Sequence, residues 1–365
     1  MSGSTGGTGA RPAVAVIMRT RDRPVLLARA LADVCAQTFP DWHLVVVDDG
    51  GDATEVDRLV TGCPGLTGRV TVLHNEVSRG MEGASNQGVR AVEAEFVAVH
   101  DDDDTWHPAF LERTVAHLRA TEDVAVAVRT EIVRERIDGD VVEEVGREVF
   151  EPDVHSFTLF DLLRANRVVP ISLLYRRDLH EEIGPFREDL PVVGDWEFNL
   201  RLAQSGRPAG FLDGEPLAFW HHREEAEGAE ANSVLDRADE HRDHDLEVRD
   251  AALRDYVREH GVGGLLYVTK YFQREIDLLH DHVERVQARL GEVQTRLDDD
   301  GPRRALEEAL AAQRDSSARV DEGLARLVER LDRLEAAVSD ASLVSLLRRR
   351  YRRAKRRLQG PARRR

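Results

Sequence analysis

Phe96-Val97-Ala98-Val99-His100-Asp101-Asp102-Asp103-Asp104-Thr105-Trp106-His107-Pro108 joins a short apolar run to four consecutive carboxylates. Such a run reads as a buried strand, and open α/β sheets take their ligands at the C-terminal ends of strands. Four adjacent like charges repel one another unless something positive sits among them. Hard oxygen ligands suit Mg²⁺ or Mn²⁺, ions that usually bridge to substrate phosphates. Strand alternation would put Asp101 and Asp103 on one face, where they could grip one ion together. The same four residues also read as a solvated acidic turn, with Pro108 opening the next helix.

Working outward, the chain alternates strand and helix from Pro12 to about Leu118. Apolar strands are expected at Ala13 to Met18, Leu44 to Val47, Val70 to Leu73 and Phe96 to Val99. Helices are expected at Val25 to Cys35 and Ala84 to Val92. This order predicts an α/β fold with a parallel sheet covered on both faces. Further strands are expected at Val124 to Val128, Ile132 to Arg136, Val141 to Val145 and Ile171 to Tyr175. A last strand, Ala209 to Trp220, is broken near Gly214 and Pro216 and ends in His221-His222.

Residues 224–264 turn to acid, Arg and Ala and read as a charged linker or solvated helix. A heptad follows: Phe272, Ile276, Leu279, Val283, Val286, Leu290, Val293 and Leu297 recur in steps of four and three. That spacing predicts a coiled coil over 265–345. It is broken at 298–302, where Asp298-Asp299-Asp300-Gly301-Pro302 ends a helix. The register shifts across the break, so the two runs either fold back as a hairpin or form two segments of a parallel oligomer. A lone helix would leave these seams in water, so a homo-oligomer is expected, a dimer first, with a trimer as the alternative.

Composition sets bounds. The chain has 365 residues, 41% hydrophobic and 33% charged, with a net charge of −17. Eleven Lys/Arg and no acid lie in residues 348–365, so a basic tail (346–365) follows an acidic body. The body's field repels phosphate backbones, which argues against nucleic acid as a partner. The tail suits an anionic membrane surface. Residues 1–11, rich in Gly, Ser and Thr, read as a disordered tail without signal-peptide features. Two cysteines give neither a disulfide framework nor metal-ligand spacing. The expected location is therefore cytoplasmic, with peripheral contact at the inner membrane face.

Three further blocks bear on the acidic strand end. They are Val14-Ala15-Val16-Ile17-Met18-Arg19-Thr20-Arg21-Asp22-Arg23-Pro24, then Val45-Val46-Val47-Asp48-Asp49-Gly50-Gly51, and Gly194-Asp195-Trp196-Glu197-Phe198-Asn199 after Gly184-Pro185-Phe186. In this order, residues 12–223 resemble the family 2 glycosyltransferases, inverting enzymes with a GT-A fold. The resemblance implies a Rossmann-like mixed sheet that binds a nucleotide-diphospho-sugar.

It also implies roles. Asp103 stands as principal ligand of Mn²⁺ or Mg²⁺, Asp101 as a second, and Asp102 as a ribose contact. Asp49 matches the acceptor of a nucleobase NH, and Thr20 and Arg21 line the nucleotide. Ser78 to Asn86, with Arg79, matches the loop beneath the diphosphate. Asp195 matches the general base. His222 matches a histidine that completes metal or diphosphate binding, with His221 adjacent as the alternative. The donor implied is a nucleotide sugar, a UDP-sugar first, and the acceptor an unidentified hydroxyl.

The chemistry explains these residue types. A diphosphate leaving group gathers charge that a divalent ion stabilises, and a hydroxyl nucleophile needs a carboxylate to take its proton. Departures from the family pattern are Arg21-Asp22, where many relatives carry an aromatic residue and Asn, and His100, where an apolar residue is usual. The aromatic contact to the base is then either lost or replaced by guanidinium stacking from Arg21. Without the surrounding blocks, Asp195 reads as the N-cap of a helix from Trp196 to Ala203. Two rivals remain at this point. A nucleotidyltransferase would want a glycine-rich triphosphate loop, which Arg19 to Arg23 lacks. A non-catalytic sugar-nucleotide scaffold would not need Asp101, Asp103 and Asp195 together.

Overall fold

A computed structural model describes residues 11–138, 141–223, 238–299 and 302–337. The chain divides into two compact units between Ala252 and Leu253. The first opens with β1 (Val14–Thr20), α1 (Pro24–Cys35), β2 (Trp42–Asp48), α2 (Ala53–Thr61), β3 (Val70–His74) and α3 (Gly80–Ala91). β4 (Phe96–Asp101), β5 (Thr105–Trp106), α4 (Phe110–Ala120), β6 (Ala125–Val128), β7 (Thr130–Asp138) and β8 (Val141–Val149) follow. Then come α5 (Leu159–Leu162), β9 (Leu173–Arg176), α6 (Leu179–Glu182), α7 (Gly194–Gln204), β10 (Ala209–Leu212) and β11 (Ala218–His222).

The large sheet runs β10-β6-β9-β4-β1-β2-β3. β1 lies between β2 and β4, parallel to both, which brings the ends of all three strands to one edge. β1 to β4 are parallel, as the strand and helix alternation predicts, and β9 runs antiparallel to β4 and β6, which makes the whole a mixed sheet. Its apolar runs are buried on two faces. Val14, Val16, Met18, Val46 and Ala98 face α1 and α4 residues such as Leu27, Leu31, Phe110 and Leu111. Ala15, Ile17, Val45, Val47 and Val97 face Ala84, Val89, Trp196 and Phe198 of α3 and α7. Alternate side chains thus enter opposite cores, which is why these strands read as continuous apolar runs.

A second sheet, β5-β11-β7-β8, flanks the first. The single strand expected over Ala209 to Trp220 is two. β10 ends in the large sheet and β11 belongs to the small one, with Gly214 and Pro216 in the connection where the chain changes sheets. β7 and β8 pair antiparallel, with a register shift between Arg134 and Glu135.

α8 (Ala238–His260) ends the described part of the charged stretch; residues 224–237 and the basic tail lie outside the described residues. In the second unit, α9 (Gly263–Asp299) and α10 (Pro302–Ala337) are separated at the expected break. They pack on one another, with His282 Nε2 3.4 Å from Ser316 Oγ, so the runs fold back as a hairpin. Ile276, Leu279, Val283 and Leu290 of the heptad nevertheless stay 49–58% exposed. No helix among the described residues is long and apolar enough to cross a membrane.

Candidate active site

β4 stops at Asp101, and Asp104 N donates to Asp101 O at 3.3 Å, so the four aspartates form a turn instead of extending the strand. Alternation therefore ends at Asp101, and each carboxylate meets its own partners. Asp101 pairs with Arg19, its register neighbour on β1, whose Nε donates at 2.8 Å. Arg23, at the head of α1, places Nη1 3.2 Å from both Asp102 and Asp103. Arg223, just past β11, donates to Asp103 from a fully buried position. Asp104 accepts from His221 N at 2.9 Å.

The turn is further braced from the second sheet. Arg29 on α1 donates to Asp103 O at 2.5 Å and to Glu135 Oε1 at 2.6 Å. Glu135 also holds His221 Nδ1 at 2.6 Å, and Thr105 Oγ1 lies 2.7 Å from His221 Nε2. The register shift beside Glu135 is the kind of bulge that re-aims a side chain, here into the buried cluster.

Proton affinities follow from these surroundings. Burial pushes Asp102 up to about 6, with Arg23 opposing. Burial works the same way on Asp103, but Arg223 and Arg23 outweigh it and hold that carboxyl below its usual range. Asp104, buried and beside Asp103 and Asp101, is raised well above it.

Among the described residues, no group of three or more His, Cys, Asp or Glu is gathered as a metal site. The donor chemistry nonetheless fits a hard divalent ion: Asp101 and Asp103 offer carboxylate oxygens, and Asp102 Oδ2 is buried without a hydrogen bond. Guanidinium groups supply the positive charge here. Thr20 is buried, and its hydroxyl favours the charged form of Asp102 against the burial. Arg21 is exposed on the adjoining turn. His221 and His222 leave β11 on opposite sides, as strand neighbours must. His221 reaches the aspartate turn through Glu135 and its own backbone, whereas the His222 ring packs edge-on against Trp220 at 4.2 Å.

Asp49 is a loop organiser. Its two oxygens accept from Asn75 Nδ2 (2.9 Å), Ser78 Oγ (2.6 Å), Arg79 N (2.8 Å) and Gly80 N (3.0 Å), capping the start of α3. Those bonds outweigh burial and hold its pKa down. A cavity of about 560 Å³ lies at this loop, lined by His74, Asn75, Ser78, Arg79 and Glu188 among others. Close turns are needed here: a Cβ on Gly51 would lie 2.8 Å from Asp48 Oδ1 and 3.0 Å from Asp22 N.

Asp195 is the second residue of α7, and Asn166 Nδ2 donates to its Oδ2 at 2.6 Å. Desolvation raises its pKa, with Asn166 opposing. Arg19 joins this group to the aspartate turn, because it feels the charges of Asp101, Glu82 and Asp195 together. Glu82 is buried against Gly194, where a Cβ would lie 2.5 Å from its carboxyl. Burial pushes Glu82 up to about 8. Thus Asp101, Asp102, Asp103, Thr20 and Asp195 are brought into one neighbourhood. Arg19, Arg23, Glu82, Glu135 and Arg223 belong to it too, although the sequence did not single them out.

Residues 15–184 match the Glycosyl transferase family 2 model. Those residues form a glycosyltransferase family 2 domain. The chain is an enzyme of glycosyl transfer; the ends of β1, β2 and β4 fall in the matched residues, whereas Asp195 and β11 follow them. The glycosyltransferase is 27% identical over 195 residues to the uncharacterized glycosyltransferase YwdF of Bacillus subtilis (strain 168), covering 53% of this chain and 69% of that one. It is 27% identical over 233 residues to the O-antigen biosynthesis protein RfbC of Myxococcus xanthus, covering 62% of this chain but 17% of that protein. A crystal structure of S. aureus TarS 1-349 in complex with UDP matches with a TM-score of 0.46 at 20% identity, covering 57% of this chain and 60% of that one.

Proposed function

We propose that the chain is a metal-assisted, inverting glycosyltransferase that moves a sugar from a nucleoside-diphosphate donor to an acceptor hydroxyl in polysaccharide or glycoconjugate synthesis. The donor we propose first is a UDP-sugar. The observation that carries this reading is Arg19. One guanidinium pairs with Asp101 at the end of β4 and feels the charge of Asp195 at the start of α7, so one donor-side carboxylate and the base act on the same cation.

In this reading Asp195 takes the proton of the acceptor hydroxyl as it attacks. Its raised pKa favours that task, and the bond from Asn166 fixes its rotation. A divalent ion, held by Asp101 and Asp103, would stabilise the charge gathering on the leaving diphosphate. Arg23 and Arg223 add positive charge at the same turn, where they suit phosphate oxygens. Asp102 and Thr20, at the ends of β4 and β1, would meet the ribose, and Arg79, which lines the cavity at the start of α3, would meet the diphosphate. The M. xanthus relative's name supports the biosynthetic setting.

The heptad residues left exposed on α9 support a homo-oligomer, a dimer first. Side-by-side basic tails would then strengthen attraction to an anionic membrane face from the cytoplasm. The test of the chemical reading is Asp195→Asn. Transfer to the true acceptor should fall at least ~10²-fold, the scale of a lost general base, while donor affinity by calorimetry stays within a few-fold. Normal turnover by this variant would remove Asp195 from the mechanism.

A further inference from the structure

Cys35 and Cys63 stand apart from the transfer site, at the end of α1 and just after α2. Their sulfurs are 3.4 Å apart, and both residues are partly exposed. A disulfide needs ~2.05 Å between sulfurs, with α-carbons typically about 4.4–6.8 Å apart, so an approach of about 1.4 Å would join them. The contact is built into the fold. Cys35 is the last residue of α1, Cys63 starts the short turn Pro64–Leu66, and both pack at the rim of the core containing Val34, Val60 and Leu66. Gly65 leaves room for the pair, because a Cβ there would lie 2.8 Å from Cys35 Sγ.

We propose that Cys35 and Cys63 are a thiol pair that forms an intramolecular disulfide on exposure to a disulfide oxidant of the glutathione class. One cysteine thiolate first attacks the oxidant's S–S bond, giving a mixed disulfide and releasing one thiolate. The second cysteine, as thiolate, then attacks the protein sulfur of that mixed disulfide and expels the other. Two protein thiols lose two electrons and two protons, and one small disulfide becomes two thiols.

The bond closes a loop holding β2, the Asp48-Asp49-Gly50-Gly51 turn and α2. It ties these to α1, which carries Arg29 and is preceded by Arg23, the two residues that hold Asp103 and Asp102. Because the sulfurs already touch in the reduced fold, the link acts as a staple and leaves the architecture as it is. Burial and the contact with Cys63 push the Cys35 thiol well up, so formation is slow at neutral pH and faster in alkali.

The test uses the full chain incubated with oxidised glutathione, then desalted and read by intact mass, peptide mapping and thermal unfolding. The expected product is 2 Da lighter, about two hydrogens lost for one bond made, with Cys35 and Cys63 in one linked peptide. Its midpoint should exceed that of the reduced protein by about 5 °C or more, and dithiothreitol should reverse the change. Cys35→Ser and Cys63→Ser, each folding like the parent, should show neither the mass loss nor the shift. Stable glutathione adducts on both cysteines, unreacted thiols, or a disulfide between two chains would each overturn the proposal. So would an internal disulfide that leaves the midpoint unchanged or lowers it.

Discussion

Asp103 and Asp104 are neighbours with different employment. Asp103 takes two guanidinium groups, whereas Asp104 takes a backbone NH of β11. Asp103→Ala should therefore abolish Mn²⁺-dependent binding of UDP in calorimetry while Asp104→Ala keeps most of it. Asp104→Ala should instead cost about 1–3 kcal/mol of stability for a buried NH left without its acceptor, measurable by urea unfolding. Glu82 gives a prediction in pH. Its carboxyl titrates near 8 in the fold against an ordinary 4.5, so the neutral form is the one that the fold favours. Its contribution is fully present below about pH 4.5, is lost as the pH rises, and is exhausted above about 8. Glu82→Gln cannot ionise, so its advantage over the parent should grow from pH 5 to pH 8. By linkage the change is on the order of a few kcal/mol. Parallel pH profiles for parent and variant would place Glu82 in a solvated setting.

At the scale of elements, α3 depends on a carboxylate from another strand. Asp49 caps its first turn and shapes the loop from Asn75 to Gly80. Asp49→Ala should cost about 1–2 kcal/mol as a lost cap and disorder that loop, seen as faster amide exchange over 75–82. Unchanged protection there would mean the loop holds itself. The elements show what a sequence discloses. β1, β2 and β4 were legible because both faces are buried and the run of apolar residues is unbroken. The two-sheet exchange at β10 and β11 was legible only as a break at Gly214 and Pro216. α2 was missed, although Asp52 accepts from Thr54 N and Glu55 N as a helix cap does. Glu135 was out of reach: Glu131-Ile132-Val133-Arg134-Glu135-Arg136 reads as a solvated charged face, and only a register shift turns one of its charges inward. Arg19 lies 82 residues from Asp101, so their pairing exists only once β1 and β4 are neighbours. Asp101, Asp102, Asp103 and Asp195 were legible as types of residue at strand and helix ends, but the guanidinium partners of the first three and the Asn166 amide on Asp195 come from tertiary placement.

The whole molecule adds an assembly question to a chemical one. With Ile276, Leu279, Val283 and Leu290 exposed on α9, a single chain leaves an apolar seam in water. Light scattering on the full chain should give a multiple of the 41.0 kDa chain mass, and Val283→Glu should lower it while leaving sugar-nucleotide cleavage intact. A parent of one chain mass would remove the oligomer. The chemical reading is tested most directly by nucleoside-diphosphate release from a panel of sugar nucleotides, with and without Mn²⁺, comparing the parent with Asp103→Ala. The parent should release diphosphate from one or a few donors only when Mn²⁺ is present, and Asp103→Ala should release none above background. Equal release by parent and variant, or a parent that cleaves its donor as fast without the ion, would contradict a metal-assisted transfer at the Asp101–Asp104 turn.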